Sequence, residues 1–140
     1  MNIKSYVLAV VAAYIVMAIV GISSDIVLQS YYESFMAIGR SEEEMMAMMP
    51  LFLFAYLVQT ALFCYIYIKG REAGDLMEGA RFGVVIGIFM GTTNVILHTA
   101  LPFSVETTVA GVLAEIVVYI CGGMTTALVY KPAASPAPVA

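Results

Sequence analysis

The sequence is poor in charged residues and in the residues that most often build catalytic or metal sites. Only 11% of its 140 residues are charged, it has one histidine and two cysteines, and it has no tryptophan. A soluble domain has about 25% charged residues, so this chain is too apolar for a water-soluble fold. The formal net charge is −4, without a basic cluster, which argues against nucleic-acid binding.

The few cysteines and the single histidine limit the chemistry further. Cys64 and Cys121 stand apart in apolar runs, without the spacing of a metal or redox motif, and they are too few for a disulfide framework. No serine or cysteine nucleophile has a base beside it in the sequence, and catalytic metal sites usually need more than one histidine. We therefore expect a protein that is not an enzyme and that holds no cofactor, haem included.

What the sequence has in excess is apolar residues, at 62% of the chain, with a mean hydropathy of +0.96. A membrane-spanning helix needs about 20 mainly apolar residues, and four stretches are long enough. They are residues 6–28, 51–68, 79–101 and 105–130. The predicted fold is an all-α, four-transmembrane-helix up-down bundle in one domain, residues 1–131, followed by a Pro/Ala-rich tail at 132–140.

Capping residues predict where several helices begin and end. Ser41 and Glu44 have the spacing of a capping box. They predict a short outer amphipathic helix between the first and second spans, with a kink at Pro50. Asp75 predicts the N-cap of the third span, and Gly70 predicts a left-handed end to the second.

The distribution of basic residues predicts the orientation of the bundle. Five of the six Lys and Arg residues lie at the N-terminus, around the loop between the second and third spans, or after the fourth span. Only Arg40 lies on the other side, among five glutamates. Because cytoplasmic loops are the more basic ones, both termini are predicted to be cytoplasmic.

Glycines recur at every fourth residue of the third span, at Gly83, Gly87 and Gly91. Such a glycine zipper lies on one helix face and lets a neighbouring backbone approach closely. In the fourth span, Gly111 and Gly122 share a face with Glu115 at helical spacing. These five glycines are the predicted helix-packing residues. They could serve a homo-oligomer, docking onto a larger membrane complex, or the fold of the chain itself.

Five polar residues fall in the outer half of the predicted spans, each on a face that can point inward. They are Asp25, Gln59, Asn94, His98 and Glu115. Ionisable groups inside a membrane often mark a proton, ion or ligand site, and here Glu115 would carry the exchangeable charge. The alternative is that Glu115 is kept neutral, or is paired with His98, and only holds the helices together.

The segment 41–50 contains four methionines beside three glutamates. The methionines are Met45, Met46, Met48 and Met49. Thioethers are soft ligands that suit Cu(I), so a metal site is one hypothesis. The other is that methionine serves here as a helix former and a flexible apolar filler at the membrane surface.

Three segments carry a resemblance to a known group: EGARFGVVIGIFMG at 78–91, AEIVVYICGG at 114–123 and ALVYKP at 127–132. With the four spans, the chain resembles a group of short bacterial four-helix integral membrane proteins of unknown function. The resemblance covers most of the chain, from the first span to Lys131. It implies a multi-pass protein of the bacterial inner membrane, and it implies no activity and no catalytic residue.

Composition and the glycine zipper favour a non-enzymatic packing or accessory component of the lipid bilayer, as a homo-oligomer or as a subunit of a larger membrane complex. The alternative is a carrier or binder of a proton, a cation or a small polar ligand in a pocket around Glu115. Cu(I) binding by the methionine segment is a third hypothesis.

Overall fold

The computed structural model describes residues 2–132, except for the side chains of Ser34 and Phe35. The regular structure in this range is helical, and four of its helices are long and apolar enough to cross a membrane. The helices are α1 (Ile3–Val27), α2 (Glu33–Ile38), α3 (Glu42–Gly70), α4 (Leu76–Ala100) and α5 (Val105–Val129), with one turn of 3-10 helix at Gln29–Tyr31. The four long helices pack as a bundle, which confirms the predicted fold class. The predicted tail lies outside the described residues, apart from Pro132.

The capping box predicted before the second span is present at the start of α3. The Glu44 N–H donates to Ser41 Oγ at 3.3 Å, and the Ser41 N–H donates to Glu44 Oε2 at 3.1 Å. From there α3 runs without interruption through Pro50. The residues 41–50 are therefore the first turns of the spanning helix, and the separate short helix between the first two spans is α2.

The loop between α3 and α4 differs from the prediction at one glycine. Gly70 ends α3, but the left-handed residue is Gly74, with φ 70°. The reason lies in Glu78, whose carboxylate accepts the backbone N–H groups of Glu72 and Gly74 and folds the loop back onto the start of α4. Asp75 caps α4 as predicted, because its Oδ1 accepts the Glu78 N–H at 2.7 Å.

The tightest pair of helices is α4 and α5. The glycines of α4 at every fourth position are all buried, and they are Gly79, Gly83, Gly87 and Gly91. A Cβ on Gly87 would lie 2.6 Å from the Ile116 Cα, and one on Gly91 would lie 3.1 Å from the Val112 Cγ1. The missing side chains therefore allow the two antiparallel backbones to touch.

The helix α3 stands farther from α4 than α5 does. It packs against α1 and less closely against α5, and large side chains fill the space towards α4. Phe63 and Tyr67 both pack on Phe82, with ring centroids 5.0 and 5.4 Å apart. This leaves a gap between α3 and α4 that aromatic rings occupy only in part.

The two ends of the bundle are closed to different degrees. At the end that we call the basic end (residues 2–5, 69–75 and 130–132), backbone and side chains are joined. The Lys131 N–H donates to Ser5 Oγ at 2.6 Å, the Asn2 N–H to Tyr130 Oη at 3.3 Å, and Arg71 Nη1 to the Tyr130 carbonyl at 3.2 Å. At the opposite, acidic end (residues 28–42 and 101–106), α3 is less covered, because residues 46–55 are all exposed.

Candidate functional site

Glu115 and Asp25 are two carboxylates on neighbouring helices, in the half of the bundle towards the acidic end. Glu115 lies near the middle of α5 and is partly buried, whereas Asp25 lies in the last turn of α1 and is exposed. Their charges are close enough to interact. Within residues 2–132, neither carboxylate has an ion pair or a hydrogen bond to another residue. The pair is therefore without a counter-charge from the protein.

Three tyrosine hydroxyls lie within electrostatic range of Glu115, those of Tyr32, Tyr56 and Tyr119. With the two carboxylates they form what we call the carboxylate pocket. Tyr119 is only 2% exposed, yet its hydroxyl makes no hydrogen bond to a described residue. Because helical side chains tilt towards the N-terminus, Tyr119 leans back towards Glu115, one turn before it. A phenol hydroxyl can both donate and accept, so that of Tyr119 is available to a bound ligand.

Tyr32 follows the 3-10 turn after α1 and lies at the acidic end of the pocket. Burial raises the pKa of its phenol above the ordinary value of 10.0, and the carboxylates of Asp25 and Glu115 raise it further. A phenol that stays neutral keeps its proton as a hydrogen-bond donor. Tyr32 can therefore donate to a carboxylate or to a ligand held between the carboxylates.

Two amides reach the neighbourhood of the pocket from α4 and α3. The Asn94 amide lies against Gly111, where a Cβ would be 3.2 Å from the Asn94 Cγ, and Gly111 is one turn before Glu115. Gln59 Nε2 donates to the Met90 Sδ at 3.7 Å, and Met90 is one turn before Asn94. Gly111 thus provides the space for the Asn94 amide, and the Met90 thioether orients the Gln59 amide.

His98 lies beyond Asn94, in the last turn of α4. Its Nδ1 is buried and has no hydrogen-bond partner among the described residues. No ion pair joins His98 to Glu115 in the described part of the chain, and the charge that acts on Glu115 is that of Asp25. The ion pair by which His98 would neutralise Glu115 is therefore absent from the described residues.

The α5 glycine that packs against the α4 zipper is Gly123 rather than Gly122. Gly123 and Gly79 face each other so closely that neither position has room for a Cβ. Gly122 faces α1 instead, where a Cβ would lie 2.8 Å from the Met17 Cγ. Gly79 could have been found from the sequence, four residues before Gly83. Which of the adjacent glycines Gly122 and Gly123 faces α4 depends on the register between α4 and α5, which the sequence does not show.

The methionines of the predicted Cu(I) site lie in the first two turns of α3. Met45 is partly buried, and Met46, Met48 and Met49 are exposed. At about 100° per residue, Met45, Met48 and Met49 fall within an arc of about 100° on α3, and Met46 lies about 60° from Met49. Within residues 2–132, no group of three or more His, Cys, Asp or Glu side chains could hold a metal ion. Cu(I) binding by thioethers alone stays a prediction.

The residue pattern alone does not predict the three tyrosines of the carboxylate pocket as site residues. Tyr119 follows Glu115 by four positions, a spacing that places both on one helix face, so a signal for it exists. Tyr32 and Tyr56 come from other elements, and only the packing of α1, α3 and α5 brings them to Glu115.

The four long apolar helices define the class of this chain as a polytopic membrane protein. No family model, no curated protein and no solved structure matches it.

Proposed function

We propose that this chain is a non-enzymatic membrane protein that binds a proton or a cation at the carboxylate pocket. One observation carries the proposal: the Glu115 carboxylate is partly buried in the middle of α5 and has no cationic partner within the described residues. An unpaired carboxylate is costly to hold at the partly buried position of Glu115, and the negative charge of Asp25 adds to this cost. A bound proton or cation removes this cost, and the neighbouring phenols can orient it.

The packing function that the composition favours loses part of its support. Gly83, Gly87 and Gly91 face α5 of the same chain, so the zipper is not free for a second copy or another subunit. An accessory role remains the second candidate because of a different feature. Residues 46–55 of α3 are exposed, and this apolar stretch is long enough to contact a neighbouring membrane protein.

The distribution of charge supports an orientation for the pocket. The basic end contains most of the lysine and arginine residues, which favours the cytoplasmic side of a bacterial inner membrane. The carboxylate pocket then lies in the outer half of the bundle. The hydrogen bonds of Tyr130 and Lys131 close the basic end, so in this orientation access to the pocket would be from outside.

The test uses dicyclohexylcarbodiimide, which modifies protonated carboxyl groups in apolar surroundings. The purified full chain in detergent micelles is treated with the reagent over a range of pH, with sodium, potassium or tetramethylammonium ions added in turn. Mass spectrometry then locates the modification. We expect modification of Glu115, slowed either by rising pH alone or by one of the cations.

The two forms of the proposal give different results in this test. Slower modification with rising pH and no effect of the cations indicates a proton site, and protection by one cation at constant pH indicates a site for that cation. The Glu115→Gln variant should lose the modification, whereas Glu43→Gln, which changes an exposed glutamate, should keep it. Modification of Glu115 no faster than that of Glu43, with no dependence on pH and no protection by any of the cations, would refute the proposal.

A further inference from the structure

A groove of about 350 Å³ lies between α3 and α4, at the basic end and away from the carboxylate pocket. The groove exists because α3 and α4 do not touch through their backbones. They meet instead through the Phe82 side chain. Its apolar part includes Ile66, Phe82 and Val85, and its polar part includes Tyr67, Arg71 and Arg81. The groove therefore combines an apolar wall with hydrogen-bond donors.

The groove has hydrogen-bond donors that are not fully engaged with other described residues. Tyr67 is 1% exposed and its hydroxyl has no partner among the described residues. Tyr67 lines the groove together with Arg71 and Glu78, and the charges of these two residues act on its hydroxyl. Arg81 is exposed and has no ion pair with a described residue. Arg71 donates one N–H to the Tyr130 carbonyl, which leaves other donors of its guanidinium.

One carboxylate also lines the groove, that of Glu78. It already accepts the backbone N–H groups of Glu72, at 2.6 Å, and Gly74. Its two oxygens are thus occupied by the loop that they fold. The remaining chemistry of the groove is that of two guanidinium groups and a phenol, which suits an acceptor with negative charge.

The position of the groove indicates where that acceptor comes from. Gly70 ends α3 and Glu78 lies in the first turn of α4, so the polar part lies at the border of the spans. Lipid phosphates lie at this level, and arginine and tyrosine side chains are typical of it. From there the apolar wall extends towards the bilayer core.

We propose that the groove binds an anionic phospholipid. Its phosphate oxygens accept from Tyr67, Arg71 and Arg81, and one acyl chain lies along Ile66, Phe82 and Val85. Basic grooves between transmembrane helices on the cytoplasmic side are suited to such head groups. Inorganic phosphate has the same acceptor chemistry but does not use the apolar wall, so the lipid is the expected occupant. This inference does not depend on the carboxylate pocket.

The test measures lipid binding by the full chain in detergent micelles, with native mass spectrometry as the readout. Phosphatidylglycerol, phosphatidylcholine and inorganic phosphate are titrated separately, and phosphate is also added as a competitor of the first lipid. We expect phosphatidylglycerol to bind at least tenfold more tightly than phosphatidylcholine. Arg81→Gln should weaken its binding about tenfold, as expected for the loss of one charge-assisted hydrogen bond. Tyr67→Phe should weaken it several-fold.

The matched control is Lys69→Gln, which removes the same charge one residue before the end of α3. Lys69 lies over the Tyr65 ring, 5.8 Å from its centroid, and does not line the groove, so its variant should bind within twofold of the original chain. Equal effects of Lys69→Gln and Arg81→Gln would indicate general electrostatics and overturn the proposal. Equal binding of both lipids, or displacement of phosphatidylglycerol by inorganic phosphate, would overturn it as well. Tyr67→Phe keeps the ring and loses only an unpartnered hydroxyl, so folding should survive this change.

Discussion

Gly87 of α4 and Ile116 of α5 lie so close together that a Cβ on Gly87 would be 2.6 Å from the Ile116 Cα. The spacing of the two backbones therefore depends on a side chain that is absent. In a membrane, apolar side chains gain little from leaving the lipid, and close packing of this kind is a main attraction between helices. The α4–α5 pair is thus the part of the bundle most sensitive to small added volumes.

The first prediction concerns this spacing. Gly87→Ala should lower the free energy of unfolding by about 1–3 kcal/mol, because the added methyl group forces the two backbones apart. Unfolding in mixed detergent micelles with rising dodecyl sulfate, followed by circular dichroism, measures the change. The matched control is Gly21→Ala on α1, where the Cβ would meet only the Val118 Cγ2 at 3.9 Å. That variant should be neutral, or more stable by up to about 1 kcal/mol, because alanine favours a helix more than glycine does. Equal losses in both variants would contradict the account of the zipper.

The second prediction concerns the repulsion between Asp25 and Glu115. Asp25→Asn and Glu115→Gln should each leave the fold intact and raise stability slightly at alkaline pH and low salt, because each removes one of two interacting negative charges. The double variant should gain less than the sum of the two single variants. The coupling should be at most about 1 kcal/mol, because Asp25 is exposed to the surroundings.

The same unfolding measurement, applied as a double-mutant cycle, decides this point. Additive gains would mean that the two carboxylates do not interact. A large loss of stability in Glu115→Gln would mean that this side chain holds the helices together and is not a site for an exchangeable cation.

The third prediction concerns the alkaline titration of Tyr32. Asp25→Asn should lower the pKa of this phenol, because one of the two carboxylates that raise it is removed, while burial keeps the pKa above 10.0. The pKa of Tyr32 is higher in the folded chain than in the unfolded chain, so neutral Tyr32 stabilises the fold. This stabilisation is complete below the pKa of the unfolded chain, and it is lost as the pH rises through the higher pKa of the folded chain.

Carbon NMR of chains labelled at tyrosine Cζ, with the Tyr32 signal assigned from Tyr32→Phe, measures this pKa. Glu43→Gln serves as the control, because Glu43 is not among the groups that act on Tyr32. An unchanged Tyr32 pKa in Asp25→Asn would place the Asp25 carboxylate outside the carboxylate pocket.

The fourth prediction concerns closure of the basic end. Ser5→Ala removes the acceptor of the Lys131 N–H, which now donates at 2.6 Å. Amide hydrogen exchange at Lys131 should become about tenfold faster, the equivalent of one lost hydrogen bond of about 1.4 kcal/mol. Ser23→Ala is the matched control, since the Ser23 hydroxyl donates only to the Ile19 carbonyl of its own helix, at 2.7 Å. Exchange at Lys131 that is the same in both variants would show that this hydrogen bond does not hold the two termini together.

The helices themselves could be predicted from the sequence because their signals are local. Length and apolarity determine the four spans, and the capping hydrogen bonds of Ser41 and Asp75 involve residues three positions away. The left-handed residue of the α3–α4 loop could not be predicted in this way. It is Gly74 because Glu78 folds the loop, whereas in the sequence Gly70 was equally suitable.

The candidate site could be predicted only in part. The spacing between Glu115 and Tyr119 follows from the helical repeat, and so does the face that Glu115 shares with Gly111. That His98 has no ion pair with Glu115, and that Tyr32 and Asp25 approach it, depends on how far each helix is shifted along its neighbours. A shift of one turn, about 5.4 Å, exchanges one polar neighbour for another.

By itself, the sequence determined that this chain is a membrane protein of four helices with a glycine face on α4, because these properties depend on composition and on the period of a single helix. Only the tertiary structure decided which residues surround Glu115, that Gly123 rather than Gly122 meets the zipper, and that a groove lined by Arg81 and Tyr67 lies between α3 and α4. The physical reason is that these features depend on contacts between helices. Such contacts are set by the packing of backbones and large side chains, which the pattern along one helix does not contain.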